Sequence, residues 1–234
     1  MFYMKLHRFI GDFNLSKNEI EITNIENIKQ IKDVLRLEKG DSLILSNGKG
    51  QSAEVTITLI SPDKIVCAVR KVEKETETGK KVHLYLAILK KENFELATQK
   101  AVECGVASIT PIITERTIKT GLNISRLEKI IREASEQSGR SIVPTLSPIL
   151  NFSSALAFGS AADEKIIFHL GDVDYISKKE AKSASIFIGP EGGFTEREIN
   201  EATAAGYIGA SLGPLTLRGE TAAIVGTYRA VYGI

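Results

Sequence analysis

Ile186-Phe187-Ile188-Gly189-Pro190-Glu191-Gly192-Gly193-Phe194-Thr195-Glu196-Arg197-Glu198 is the stretch on which the fold turns. It begins inside an apolar run, Ala184 to Gly189, that reads as a strand buried on both faces. Thr195 and Glu198 form a capping box, in which each side chain satisfies a free amide at a helix start. A buried strand, a glycine turn and a capped helix are the parts of a parallel α/β layer. A tight turn explains Gly192 and Gly193 but does not require Gly189-Pro190-Glu191. The loop lacks the GxxxxGK[ST] pattern and has no Lys placed to reach a phosphate, which argues against a nucleotide triphosphatase. It also lacks GxGxxG, which removes the usual dinucleotide reading.

Two neighbouring stretches repeat the pattern of a strand running into a special loop. Lys165 to Leu170 contains Ile166-Ile167-Phe168 and leads into His169-Leu170-Gly171. Tyr207 to Leu212 leads into Gly213-Pro214-Leu215-Thr216-Leu217-Arg218-Gly219-Glu220-Thr221-Ala222. In open α/β sheets, ligands bind outside the carboxyl ends of the strands, and glycines there let backbone approach a ligand. Upstream, Val82 to Leu89 and Ala107 to Ile113 are further strands, separated by a helix-like segment ending near Gly105. Ser125-Arg126-Leu127-Glu128 reads as another capping box. Behind it Leu127, Ile130, Ile131 and Ala134 form one apolar face, with Gly139 as the stop. Helices are expected to begin at Thr195 and near Glu220.

The first 72 residues differ in rhythm. Ser42 to Ser46 and Ala53 to Ile60 flank Asn47-Gly48-Lys49-Gly50, a hairpin signal, and Ile65 to Val72 supplies another strand. Ile25 to Leu37 has helical spacing at Ile28, Ile31, Val34 and Leu35. Residues 1–72 thus read as a small β-rich domain, 73–81 as a charged linker, and 82–234 as an α/β domain. The chain has 234 residues and a formal net charge of +1, from 30 Lys+Arg against 29 Asp+Glu. An RNA reader with this balance must concentrate its positive charge on one face. The two cysteines, Cys67 and Cys104, lie far apart without CxxC spacing, so neither a disulfide framework nor a zinc site is expected. No apolar run reaches the roughly 20 residues that span a bilayer, and the start carries no secretory pattern, so a cytoplasmic setting is expected.

Taken together the loops resemble the SPOUT superfamily of methyltransferases and, within it, the RsmE family of ribosomal RNA uridine-N3 methyltransferases. Four other segments fit that family: His7-Arg8-Phe9, Thr98 to Val106, Glu115-Arg116, and Glu136-Gln137-Ser138-Gly139-Arg140. The match runs over essentially the whole chain and is most specific at Gly189–Phe194 and Leu212–Ala222. It departs where Leu215-Thr216 stands in place of the basic residue usual after Leu-Gly-Pro. The resemblance implies a PUA-like β-barrel RNA-binding domain followed by an α/β domain tied in a deep trefoil knot. It also implies a homodimer, S-adenosylmethionine as cofactor with no metal, and 16S ribosomal RNA of the small subunit as partner.

On that resemblance, the cofactor would be held by His169, Leu170, Gly171, Ile188, Gly189, Pro190, Glu191, Gly192, Gly193, Leu212, Gly213, Leu217, Arg218, Glu220, Thr221 and Ala222. A guanidinium near uracil O2 or O4 would stabilise the anion left when N3 loses its proton, and Arg218 is the candidate. Glu191 and Glu220 are candidates for proton acceptor, although each could instead hold loop amides. Arg8 and Arg140 match positions that face RNA, whereas His7 and His83 read as structural. Two other readings share these features. One is a SPOUT methyltransferase acting on another base or on transfer RNA, which product analysis would separate. The other is an RNA-binding module without catalysis, against which the intact Gly189–Gly193 and Arg218–Thr221 loops argue.

Overall fold

Alternation of buried and exposed residues builds the amino-terminal sheet of the computed structural model, which describes residues 6–76, 79–118, 121–170 and 173–233. Its elements are β1 (Arg8–Ile10), β2 (Glu19–Ile22), α1 (Ile25–Lys29), β3 (Ser42–Ser46), β4 (Gln51–Ile60) and β5 (Ile65–Lys74). The strands lie in the order β1-β3-β4-β5-β2. β1 runs parallel to β3 and the other pairs are antiparallel. Ile20 and Ile22 of β2, Leu43 and Leu45 of β3, and Val55 and Ile57 of β4 face one shared core. The expected hairpin joins β3 to β4. Gly48 and Gly50 take φ of 69° and 93°, the left-handed region that favours glycine. Asn47 Oδ1 accepts from the Lys49 and Gln51 amides at 2.8 and 3.2 Å, closing the turn.

The helix expected over 25–37 is shorter and irregular. α1 passes into a π-helical turn, Gln30–Val34. A π turn widens the 3.6-residue period, so Ile28 and Ile31 are buried while Val34 swings out to 72% exposure.

The other elements are β6 (Lys81–Ala87), α2 (Lys91–Glu103), β7 (Ser108–Ile113), α3 (Ile124–Ser138), β8 (Thr145–Leu146), β9 (Leu150–Asn151), α4 (Phe152–Phe158), β10 (Glu164–Phe168), β11 (Ser183–Ile188), α5 (Glu196–Ala204), β12 (Ile208–Ala210) and α6 (Gly219–Tyr232). Seven strands form an entirely parallel sheet in the order β12-β10-β11-β6-β7-β8, with β9 also paired to β7. The central strands are buried throughout, which is why they read as continuous apolar runs. On one face, Tyr85 stacks on Phe187 at 4.4 Å, and Phe152 and Tyr207 meet Phe187 edge-on. α6 packs on β6 and β11 and against α2. A Cβ on Gly226 would lie 3.0 Å from Phe168 Cε2, so the glycine lets α6 come close to the sheet.

The capping box at Thr195 and Glu198 is complete, and α5 follows it. The cap of α3 differs from the sequence reading. Asn123, not Ser125, caps it, with Oδ1 accepting from the Arg126 amide at 3.1 Å and the carbonyl from the Leu127 amide. Ser125 lies inside the first turn and donates to Asn123 Oδ1 at 3.1 Å. Asn and Ser cap about equally well, so residue type alone does not rank Asn123 against Ser125 two positions on. The chain divides into two units, Met1–Glu77 with Ser135–Val143, and Thr78–Ala134 with Pro144–Ile234. In the first, Glu136 Oε1 accepts from the Ile10 amide at 2.7 Å, and Ser141 O accepts from the Gly50 amide at 3.0 Å.

Candidate functional site

The carboxyl ends of β10, β11 and β12 lie side by side, and the loops leaving them enclose a cavity of about 620 Å³. Its wall includes His169 and Leu170 after β10. Ile188 and Gly189 to Phe194 follow from β11, and Ser211 to Gly213, Leu215 to Glu220 and Ala222 from β12. Three loops separated in sequence are thus brought together by parallel strand order. Of the sequence-predicted set, Thr221 is exposed and does not line the cavity, and Gly171 lies outside the described residues. Arg8 and Arg140 belong to the first unit. Arg8 has a side chain only 9% exposed and pairs with Glu75 at 3.6 Å, while Arg140 is half-buried.

Each loop is held by identifiable bonds. The glycine loop is tied to the segment after β7. Glu198, 4% exposed, accepts from the Glu115 amide through Oε1 and from the Thr195 amide through Oε2, each at 2.9 Å. Arg116 Nη1 donates to Gly192 O at 2.6 Å, and Glu191 Oε1 accepts from the Lys90 amide at 3.2 Å. Gly193 closes the turn with φ of 69° and its amide on Pro190 O. The segment after the first loop is strapped to Ser211, the residue that follows β12, since the Tyr175 amide donates to Ser211 O and the Ser211 amide to Val173 O, both at 2.8 Å. Beneath it lies a buried ion pair. Lys80 Nζ is 2.7 Å from Glu164 Oε2, with side chains 7% and 1% exposed, and Glu164 Oε1 accepts from the Lys178 amide at 3.1 Å. In the third loop Ser211 Oγ donates to Gly213 O at 2.8 Å, and Gly213 takes φ of 125°. Arg218 is exposed at the cap of α6, and Glu220 follows in the first turn, 8% exposed.

Lys90, Asn93, Arg116, Phe168, Phe194 and Ser211 also line the cavity and were not singled out as site residues. Lys90 and Arg116 follow β6 and β7, so the strand-end rule, applied to the first two strands as well, would have found them. Neither cysteine lines the cavity. Burial pushes the Cys67 thiol up to about 11 and raises that of Cys104 as well.

A family model described as an RNA methyltransferase domain matches residues 76–229, and one described as an RNA methyltransferase PUA domain matches residues 22–70. Ribosomal RNA small subunit methyltransferase E of Rickettsia conorii is 32% identical over 94% of this chain and 93% of its own length. The chain belongs to this methyltransferase family. The protein of the same name from Bacillus subtilis is 29% identical, over 89% of this chain and 90% of its own. Among solved structures, the family member from Neisseria gonorrhoeae bound to S-adenosyl methionine superposes with a TM-score of 0.86. It is 28% identical, and 95% of each chain is covered. A methyltransferase from Legionella pneumophila in complex with the bound cofactor SAM gives 0.84, at 29% identity over 96% of each chain. The PUA-like first domain and the α/β fold of the family are therefore those of this chain.

Proposed function

We propose that this chain transfers the methyl group of S-adenosylmethionine to N3 of a uridine in the decoding region of 16S ribosomal RNA. The substrate would be carried on the small subunit in the cytoplasm. The observation that carries the reading is the cavity at the ends of β10, β11 and β12, in a chain matched to the family along its length. A volume of about 620 Å³ suits a cofactor of this size. Its glycine-rich wall offers backbone donors and acceptors with apolar contact from Leu170, Ile188, Leu212 and Leu217. With Gly171, which follows Leu170 in sequence, these residues, His169, Gly189, Pro190, Gly192, Gly193, Gly213 and Ala222 would hold the adenosyl group, while Thr221, exposed on α6, is not among them.

The bound sulfonium supplies an electrophilic methyl group. The chain's own work is position, exclusion of water and proton removal. Arg218 would donate to uracil O2 or O4 and stabilise the anion as N3 loses its proton. Glu191, exposed at the cavity rim, would accept that proton. Methylation at uracil C5 would call for a nucleophilic cysteine, whereas neither cysteine lines the cavity and burial raises both thiols, which favours nitrogen.

Three further features belong to the proposal. The first is a SPOUT-type trefoil knot. β12 lies at the sheet edge while α6 packs on β6 and β11, so the chain must recross the ends of β10 and β11. The second is a homodimer. On α6, Ala223 is buried in this chain's own core, and the exposed Tyr228 and Tyr232 offer the contact surface. A monomer in light scattering would remove it. The third is RNA contact through Arg8 and Arg140. Arg8 would have to leave Glu75 to reach a phosphate, and RNA affinity should fall as salt rises.

Titration calorimetry tests the pocket. The wild-type protein should bind S-adenosylhomocysteine. Gly192→Val should weaken it about 10-fold or more, because a Cβ there lies 3.3 Å from Arg116 Cδ and disturbs the Arg116–Gly192 contact. Unchanged binding in a folded variant would contradict the assignment.

A further inference from the structure

We propose that Glu220 receives the α-ammonium of S-adenosylmethionine. The proposal rests on the functional reading above. Glu220 sits in the first turn of α6, lines the cavity and is 8% exposed. Its Oε2 is buried and has no hydrogen-bond partner among the described residues. A carboxylate that served to hold loop amides would show its donors, as Glu198 and Glu164 do. The amino end of α6 favours the negative charge but does not fill that lone pair. The cationic side chains of the cavity are otherwise placed. Arg116 is engaged with Gly192 O, and among the described residues no Lys or Arg lies within ion-pair distance of Glu220.

A buried carboxylate oxygen in this state needs a hydrogen-bond donor and a positive charge together. The groups of the cofactor divide cleanly on that requirement. Its sulfonium carries charge but no N–H or O–H. Its adenine amine and ribose hydroxyls donate but are neutral, and its carboxylate would be repelled. The α-ammonium alone supplies both. Glu220 is thus a binding residue for the amino-acid half of the cofactor, distinct from the loops that enclose the adenosyl half.

The test is calorimetry of wild-type and Glu220→Gln protein with S-adenosylhomocysteine, which keeps the ammonium, and with methylthioadenosine, which lacks the amino-acid half. Melting of the ligand-free proteins is measured alongside. Expected is a loss of roughly 10-fold or more in S-adenosylhomocysteine affinity, with methylthioadenosine affinity held within about twofold. The free variant should melt at the same temperature or higher, because an unpartnered buried charge has been removed. Unchanged S-adenosylhomocysteine affinity overturns the proposal while leaving the functional reading intact. A parallel loss for methylthioadenosine overturns it in favour of an adenosyl contact. A lower melting temperature overturns it in favour of loop support. Wild-type protein that binds neither compound overturns the functional reading and this proposal with it.

Discussion

Lys80 and Glu164 form a buried ion pair whose carboxylate also holds the Lys178 amide, and nothing in their sequence neighbourhoods marks them as partners. They are 84 residues apart and meet because parallel order places β10 two strands from β6. Removing one member of a buried pair leaves the other charge uncompensated. Glu164→Ala should therefore cost about 3–5 kcal/mol in urea unfolding. A loss below about 1 kcal/mol would show that the pair does not anchor the segment at Lys178. Arg218 is the opposite case, legible in sequence through its loop and exposed at the cavity. Arg218→Ala should reduce methyl transfer about 100-fold or more. Affinity for S-adenosylhomocysteine should stay within about threefold by calorimetry, and a large loss there would assign the guanidinium to cofactor binding instead. Sequence can name residues of this second kind, since a site loop carries its own signature. It cannot name the first kind, whose significance arises only where two distant strands meet.

Elements were read best where local chemistry determines them. The Thr195–Glu198 box and the Asn47-Gly48 turn are closed by bonds between residues a few positions apart, and both are formed as expected. The cap of α3 departs because Asn and Ser are equally good caps by type, and the π turn after α1 because it widens the 3.6-residue period that the sequence reading assumes. His83 shows an element contact with a pH signature. It lies on β6 opposite Ser108 of β7, with Nδ1 2.7 Å from Ser108 Oγ. Burial, then the nearby Lys81, holds the imidazole below its ordinary value of 6.5. Its stabilising contribution is complete above that value. It is lost as pH falls below it, because the unfolded chain takes up the proton first. The wild-type melting temperature should fall more between about pH 7.5 and pH 5.5 than that of His83→Gln, whose amide can still reach Ser108. Equal slopes for the two proteins would remove His83 from the acid response.

On the scale of the whole molecule, the parallel α/β layer and its three converging loops were legible because central strands are continuous apolar runs and ligands gather at their carboxyl ends. Two features were not. Ser135–Val143 folds with the first unit, and linear order has no means of showing that a late segment returns to an early one. Strand order is likewise set by packing between elements far apart in sequence, so the edge position of β12 and the return of α6 to β6 emerge only from the assembled sheet. The fold, the cavity and the family membership support the proposed outcome, methylation of a uridine nitrogen in small-subunit ribosomal RNA. The most direct test uses small subunits from a strain lacking the enzyme, incubated with pure protein and isotopically labelled S-adenosylmethionine. Mass spectrometry of the nucleosides should find the label in N3-methyluridine, with reverse transcriptase stopping one nucleotide before a single decoding-region site. Label on ribose, on a ring carbon or on another base would contradict it.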